Sequence, residues 1–233
     1  MAAPNSSLAP ITHGARLGSR RAPNAPSGPQ QHSRGMPRRI GVDRCLGAIV
    51  DVQEFFLSQI ESRALRARTE KNITNFARLL RYFRIPILAT LERPLDSKGC
   101  LPASLDKCLR GHAPMLEKDY FDLTREKKIS AHLRRLRKKQ VIIAGCETDV
   151  CILQSCLGLL AHGYEVYVVE DLLFSSSDKV DAAIARMRGE GAAFLTYKSL
   201  YYELLESVEG AQHRDKQGET SGPFPDDLPD CVQ

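Results

Sequence analysis

The stretch Val141-Ile142-Ile143-Ala144-Gly145-Cys146-Glu147-Thr148-Asp149-Val150-Cys151-Ile152-Leu153 is an apolar run that stops at a glycine, turns, and restarts as a helix with Cys151 in its first turn. A strand that passes through a turn into a helix is the unit from which parallel α/β sheets are built. The first turn of a helix offers unpaired backbone N–H groups and the positive end of the dipole, and both favour a thiolate over a thiol. Cys151 is therefore a candidate nucleophile, and Thr148 and Asp149 are placed to cap the helix that carries it.

Outward from this stretch the same alternation fills residues 43–207. Residues 45–50 form an apolar strand ending at Asp51, residues 64–83 carry Ile73, Phe76, Ala77 and Leu80 at helical spacing, and residues 85–89 form a second strand. A loop through Pro94, Gly99 and Pro102 and a short helix lead to a third strand over 114–117, with Lys118 at its end. A helix over 125–138 precedes the fourth strand, 141–144, and the helix over 150–161 is apolar on almost every side with Gly163 at its C-terminal cap. A fifth strand over 165–170, a helix over 178–188, a sixth strand over 192–195 and a closing helix over 199–207 complete the series. This order predicts a three-layer, doubly wound α/β fold of about six parallel strands flanked by helices.

Composition bounds the function. At 233 residues and 42% hydrophobic, the chain can bury one sizeable core. Its seven cysteines show no CxxC pair and no framework spacing, which suits reduced thiols in a reducing, cytoplasmic setting and argues against structural zinc. The net charge of +5 is unevenly spread: six arginines and no acid give residues 1–42 a charge of +6, residues 208–233 carry −4, and +3 remains on 43–207. A core this mildly basic argues against a dedicated nucleic-acid binder. The run Arg134-Arg135-Leu136-Arg137-Lys138-Lys139 ends a helix, where cations complement the dipole, and it lacks interleaved aromatics. It reads as a solvated face.

Residues 1–42 and 208–233 have the composition of disordered segments, a basic leader and an acidic tail. The leader's acid-free, arginine-rich make-up resembles a transit peptide that would direct organelle import; a dispensable extension with Met36 as the true start is the other reading. No run has the length of a membrane span, so no membrane partner is expected.

Asp51, Lys118 and Cys151 share a place in this pattern, each at or just beyond the carboxyl end of an expected parallel strand, where open α/β sheets hold their ligands. A carboxylate, an ammonium and a thiol brought together there form a nucleophile with its base and its charge partner. Each residue alone also has an ordinary structural reading, as a buried small residue, a helix cap or a solvated lysine.

Three segments carry a resemblance. Ile49-Val50-Asp51-Val52-Gln53-Glu54-Phe55-Phe56, Leu116-Glu117-Lys118-Asp119-Tyr120-Phe121 and Ala144-Gly145-Cys146-Glu147-Thr148-Asp149-Val150-Cys151-Ile152 resemble, in order, the signature segments of the isochorismatase-like cysteine hydrolase superfamily. The Gly-x-x-Thr-Asp-x-Cys segment is the most specific. The resemblance implies a six-stranded parallel sheet, a tendency to form homo-oligomers, and a triad with Asp51 as base, Cys151 as nucleophile and Lys118 as charge partner. It also implies a cis peptide between Cys146 and Glu147 that aims the N–H groups of Glu147 and Cys151 at a developing oxyanion. Asp51 would pass the proton to the leaving amine and later activate water.

Nicotinamidases of this family bind a metal through an Asp-x-His pair and a further histidine, whereas the second strand here runs into Thr90-Leu91-Glu92-Arg93-Pro94. No catalytic metal, no cofactor and a substrate other than nicotinamide are expected. Isochorismatases proper cleave a vinyl ether and need not use the cysteine, so the presence of Cys151 favours a C–N bond in a small amide, ureido or carbamoyl substrate. Arg93 is a candidate partner for a substrate carboxylate, and Phe56 and Tyr120 are candidate pocket walls. Glu147 stands where many relatives have a small apolar residue, and its carboxylate would narrow the pocket or repel anions. The competing class is a non-catalytic scaffold that uses the fold for oligomerisation or partner binding.

Overall fold

A computed structural model describes residues 39–207, so the expected tail, and the expected leader up to residue 38, lie outside the described residues. The first half runs β1 (Cys45–Val50), α1 (Glu54–Ser58), α2 (Arg63–Tyr82), β2 (Ile87–Glu92), α3 (Leu95–Lys98), α4 (Ala103–Leu109) and β3 (Met115–Lys118). The second half runs α5 (Lys127–Leu136), β4 (Gln140–Gly145), α6 (Leu153–Ala161), β5 (Glu165–Leu173), α7 (Asp181–Gly189), β6 (Ala193–Leu195) and α8 (Tyr197–Leu205). A 3₁₀ turn at Leu123–Arg125 precedes α5, and a π-helical turn at Thr148–Ile152 precedes α6.

All five strand pairings are parallel, in the order β3-β2-β1-β4-β5-β6. The chain winds outward from β1 to β3, returns to the centre for β4, and winds outward again, so the direction reverses between β1 and β4. Such a switch point opens a crevice beyond the carboxyl ends of the strands. Side chains alternate across each strand. Cys45 and Ile49 of β1 and Ile142 and Ala144 of β4 pack on the face that also holds buried residues of α2, α4 and α8. Leu46, Ala48, Val50, Val141 and Ile143 pack on the opposite face with buried residues of α5, α6 and α7. Covered on both faces, β1 and β4 read as continuous apolar runs.

The helix that covers the first face follows from its spacing. Ile73, Phe76, Ala77 and Leu80 of α2 are all buried, and the Ser62 hydroxyl caps its start by accepting from Leu65 N–H at 3.2 Å. The apolar run of β4 stops at Gly145 for a steric reason. Its φ is +122°, and a Cβ there would lie 2.1 Å from the carbonyl oxygen of Val50, so β1 and β4 approach too closely for any side chain.

Several boundaries differ from the sequence reading. Residues 39–42 belong to the described body: Ile40 is buried and its N–H donates to Glu203 Oε1 at 2.8 Å. Strand β2 ends at Glu92 rather than at residue 89, because its parallel ladder with β3 continues through Leu91↔Glu117 and Glu92↔Lys118; the Gln53 side chain also holds the Glu92 backbone, accepting from its N–H at 2.7 Å and donating to its carbonyl at 3.1 Å. Strand β5 continues to Leu173. The helix expected over 150–161 starts as the π-helical turn, so Cys151 sits in a widened turn ahead of α6.

Candidate active site

Parallel register places four side chains around one point. Val50, the last residue of β1, pairs with Thr90 of β2 and Gly145 of β4, and Glu92 at the end of β2 pairs with Lys118 at the end of β3. Asp51 follows β1 directly, with a left-handed φ of +52° that turns the chain out of the strand. The segment after Gly145 brings Cys151 back over the same ends.

Lys118 Nζ is the hub. It lies 2.7 Å from Asp51 Oδ2, 3.2 Å from Glu92 Oε2 and 3.3 Å from Cys151 Sγ. Asp51 Oδ1 accepts from the Thr90 hydroxyl at 2.8 Å, and the Cys151 thiol donates to Glu92 Oε2 at 2.9 Å. Asp51 and Lys118 are fully buried, Cys151 is 2% exposed and Glu92 7%. Lys98 closes the open side of Glu92 with an ion pair to Oε1, donates to the Arg93 carbonyl at 3.1 Å, and stands 5.7 Å above the Phe56 ring.

Burial sets the charges. It pushes the Cys151 thiol well above its ordinary value, the negative charge of Asp51 and the contact with Glu92 push the same way, and Lys118 opposes them. Burial likewise raises the Asp51 carboxyl, against Lys118, Thr90 and Cys151. For Lys118 burial works downward, but Asp51, Cys151 and Glu92 together hold the ammonium above the ordinary lysine range. Glu92 moves the other way: burial alone would raise it, but donation from Cys151 and Lys98 and the charge of Lys118 bring it below its ordinary value. Burial beside two carboxylates thus pushes Cys151 toward the thiol, against the thiolate that a helix start favours.

Asp51, Glu92 and Cys151 offer three donor atoms within 4.8 Å of one another. The Lys118 ammonium touches all three, so the positive charge such a set attracts is supplied by the protein itself.

The Cys146–Glu147 peptide is cis, at the bond the resemblance singled out, and Arg93–Pro94 is cis as well. Thr148 and Asp149 do not cap the helix. Thr148 donates through its N–H and its hydroxyl to the Phe174 carbonyl, each at 3.1 Å, and Asp149 accepts from Ser175 at 2.6 Å, so both tie the cysteine turn to the segment after β5. The half-buried Glu147 carboxylate accepts from Ser176 N–H at 3.1 Å. Of the candidate substrate contacts, Phe56 is buried beside Lys98. The Arg93 guanidinium is taken by Asp119, at 2.8 Å and 2.5 Å, and by Glu117 at 3.6 Å. Arg93 and Tyr120 line a surface hollow of about 470 Å³ along β3, and Cys151 is not among its lining residues.

Glu92, Lys98 and Thr90 are the members of the cluster that sequence reasoning did not mark. Ending β2 at residue 89 left Glu92 in a loop; had the strand been carried to Glu92, it would have shared the strand-end position that singled out Asp51 and Lys118.

A family model, the isochorismatase domain, matches residues 48–199, which contain the whole cluster. The chain belongs to the isochorismatase family. Isochorismatase domain-containing protein 2A of Mus musculus is 31% identical over 189 residues, covering 76% of this chain and 83% of its own. YcaC from Pseudomonas aeruginosa, solved with hexane-2,5-diol and covalent acrylamide, superposes with a TM-score of 0.69 at 27% identity, over 77% of this chain and 91% of that one. YcaC of Escherichia coli, described as an octameric hydrolase of unknown specificity, superposes with a TM-score of 0.69 at 22% identity, over 80% of this chain and 93% of that one, and shares the fold. The six-stranded parallel sheet of this chain is thus an isochorismatase-like hydrolase fold. Among the described residues, no helix is long and apolar enough to cross a membrane.

Proposed function

We propose that this isochorismatase-family protein is a metal-independent cysteine hydrolase that cleaves a C–N bond of a small amide, ureido or carbamoyl substrate. The observation that carries the proposal is the cluster itself: Cys151 Sγ lies 3.3 Å from a Lys118 ammonium that is 2.7 Å from Asp51, all three buried at the carboxyl ends of the strands. Burying a lysine between two carboxylates and a thiol has a large desolvation cost, and such perturbed groups cluster at functional sites. The acrylamide adduct of Pseudomonas aeruginosa YcaC supports a nucleophile in a relative of this fold.

In this reading the Cys151 sulfur attacks the carbonyl carbon as its proton leaves to the carboxylates around it. Lys118 stabilises the charge that develops on sulfur, and the N–H groups of Glu147 and Cys151 receive the oxyanion. The amine departs, an acyl-thioester remains on Cys151, and water activated by Asp51 releases the acid. Phe56 forms one wall of the pocket. Lys118 provides the fixed positive charge, so no metal is required. The octamer of Escherichia coli YcaC supports a homo-oligomeric assembly.

A panel of primary amides, ureas and carbamoyl compounds, assayed by ammonia release, tests the proposal. Turnover that falls more than about 1,000-fold in Cys151→Ala and is unchanged by EDTA is the expected result. Hydrolysis that persists in Cys151→Ala, or that EDTA removes, contradicts it.

A further inference from the structure

The basic run at the end of α5 is not a flat solvated face. Arg134, Arg137, Lys138 and Lys139 line one side of a hollow of about 330 Å³, and His162 and Tyr164, between α6 and β5, line the other. The buried Leu133 also borders it, whereas Arg135, the remaining cation of the run, is turned to His132 and does not. Lys139 and Tyr164 immediately precede β4 and β5, whose first residues pair as Gln140↔Glu165. The hollow therefore lies at the amino ends of the strands, opposite the Cys151 cluster.

Four full positive charges face this hollow, and no carboxylate lines it. Among the described residues, none of the four is within ion-pair distance of an aspartate or glutamate, whereas Arg44, Arg93, Lys98, Arg110, Lys118 and Arg188 each are. The ends of α5 and α6 converge there, and a helix C-terminus favours cations. Each end carries about half a negative charge, so the two together offset about one of the four. Part of that is met already, since Arg137 N–H donates to the Arg134 carbonyl at 3.2 Å and His162 Nδ1 to the Gly158 carbonyl at 2.8 Å. The dipoles therefore do not account for the cluster, and an excess of about three positive charges lines the concavity.

We propose that this hollow binds a small oligophosphate, either a free pyrophosphate or the phosphate chain of a nucleoside triphosphate. Such a chain carries several negative charges at one end, which is what the unopposed cations call for. The two guanidinium forks match phosphate oxygens in pairs, and the two ammonium groups act as point charges beside them. A hollow of this size takes a small molecule. A single phosphate would leave much of the excess unmatched. A nucleic-acid strand would need a row of stacking aromatics, and Tyr164 is the one aromatic lining residue. The half-buried Tyr164 ring, with Leu133, offers an apolar wall to an organic group joined to the phosphates.

Isothermal titration calorimetry of the whole chain with pyrophosphate, ATP and inorganic phosphate, in the absence of divalent cations, tests the proposal. Pyrophosphate and ATP should each bind at a single site, and inorganic phosphate at least about tenfold more weakly. Joint replacement Arg137→Gln and Lys139→Gln should weaken ATP binding at least about 30-fold. Lys127→Gln with Lys128→Gln removes the same charge from the other end of α5 and should change it less than about threefold. ATP binding tighter than pyrophosphate supports the site with Tyr164 as part of it, and equal affinities support it with the phosphate chain alone. Cys151→Ala should bind ATP as wild type does, since its cluster lies at the other end of the sheet. Backbone amide shifts on adding pyrophosphate should fall on residues 133–139 and 162–164, a readout that stands even if the double variants fold poorly. No binding, equal losses in the two double variants, inorganic phosphate as tight as pyrophosphate, or shifts centred on the Cys151 cluster would each overturn the proposal.

Discussion

The end of β1 and the end of β2 each present a carboxylate paired with a lysine, and the two pairs are held differently. Asp51 and Lys118 have no exposed surface, whereas Lys98 opposite Glu92 keeps 21% of its side chain in solvent. In the closed pair, burial raises the Asp51 carboxyl, whereas for Lys118 the negative charges around it outweigh burial and keep the ammonium. In the open pair, donation to Glu92 outweighs its burial and the carboxylate is held below its ordinary value. Similar chemistry at adjacent strand ends thus yields a fully enclosed ion pair on one side and, on the other, a pair whose lysine keeps contact with solvent.

The largest effect that would break this comparison is loss of Lys118. Lys118→Met leaves Asp51 and Glu92 buried without their shared cation and is expected to cost about 3–5 kcal/mol by urea denaturation. A cost near that of a surface substitution would show that the fold does not depend on the closed pair. Thr90→Val removes the one hydroxyl that Asp51 Oδ1 accepts from, and a loss of about 1–3 kcal/mol is expected in the same measurement. Lys98→Met should cost less than about 1 kcal/mol, since its ion pair is partly solvated. Equal costs for the two lysine variants would erase the distinction between the pairs.

The smallest expected effect is a pH dependence. The folded-state Glu92 carboxyl lies below its ordinary value, so its contribution to stability is complete above that value and is lost as pH falls through the folded-state value. Asp51, displaced upward, has the opposite sign: its contribution is present below its ordinary value and is lost as pH rises through the folded-state value. The stability difference between wild type and Glu92→Gln should therefore shrink on going from neutral to acid pH. For wild type and Asp51→Asn, the difference should move in wild type's favour over the same range. Two differences moving in the same direction would contradict the opposed displacements.

Much of this arrangement could be read from the chain. The alternation of apolar runs and amphipathic segments gave the parallel sheet, and the strand-end positions of Asp51, Lys118 and Cys151 pointed to the cluster the structure assembles. Glu92 escaped because strand ends are set by tertiary partners: nothing local to Thr90-Leu91-Glu92 shows that β3 will pair as far as Lys118 and that Gln53 will hold the Glu92 backbone. A helix start that favours a thiolate is visible in sequence, whereas the burial beside two carboxylates from distant strands, which pushes the other way, is not. Thr148 and Asp149 have cap chemistry, but their partners, Phe174 and Ser175, come from the segment after β5.

The central claim is that Cys151 is the nucleophile of this cluster. Its most direct test is acid quenching of the protein during turnover of p-nitrophenyl acetate, followed by intact-mass and peptide analysis. One acetyl group on Cys151 in the wild type, and none anywhere in Cys151→Ala, is the predicted result. Acetyl groups on other cysteines in preference to Cys151, or ester turnover that Cys151→Ala leaves undiminished, would contradict it.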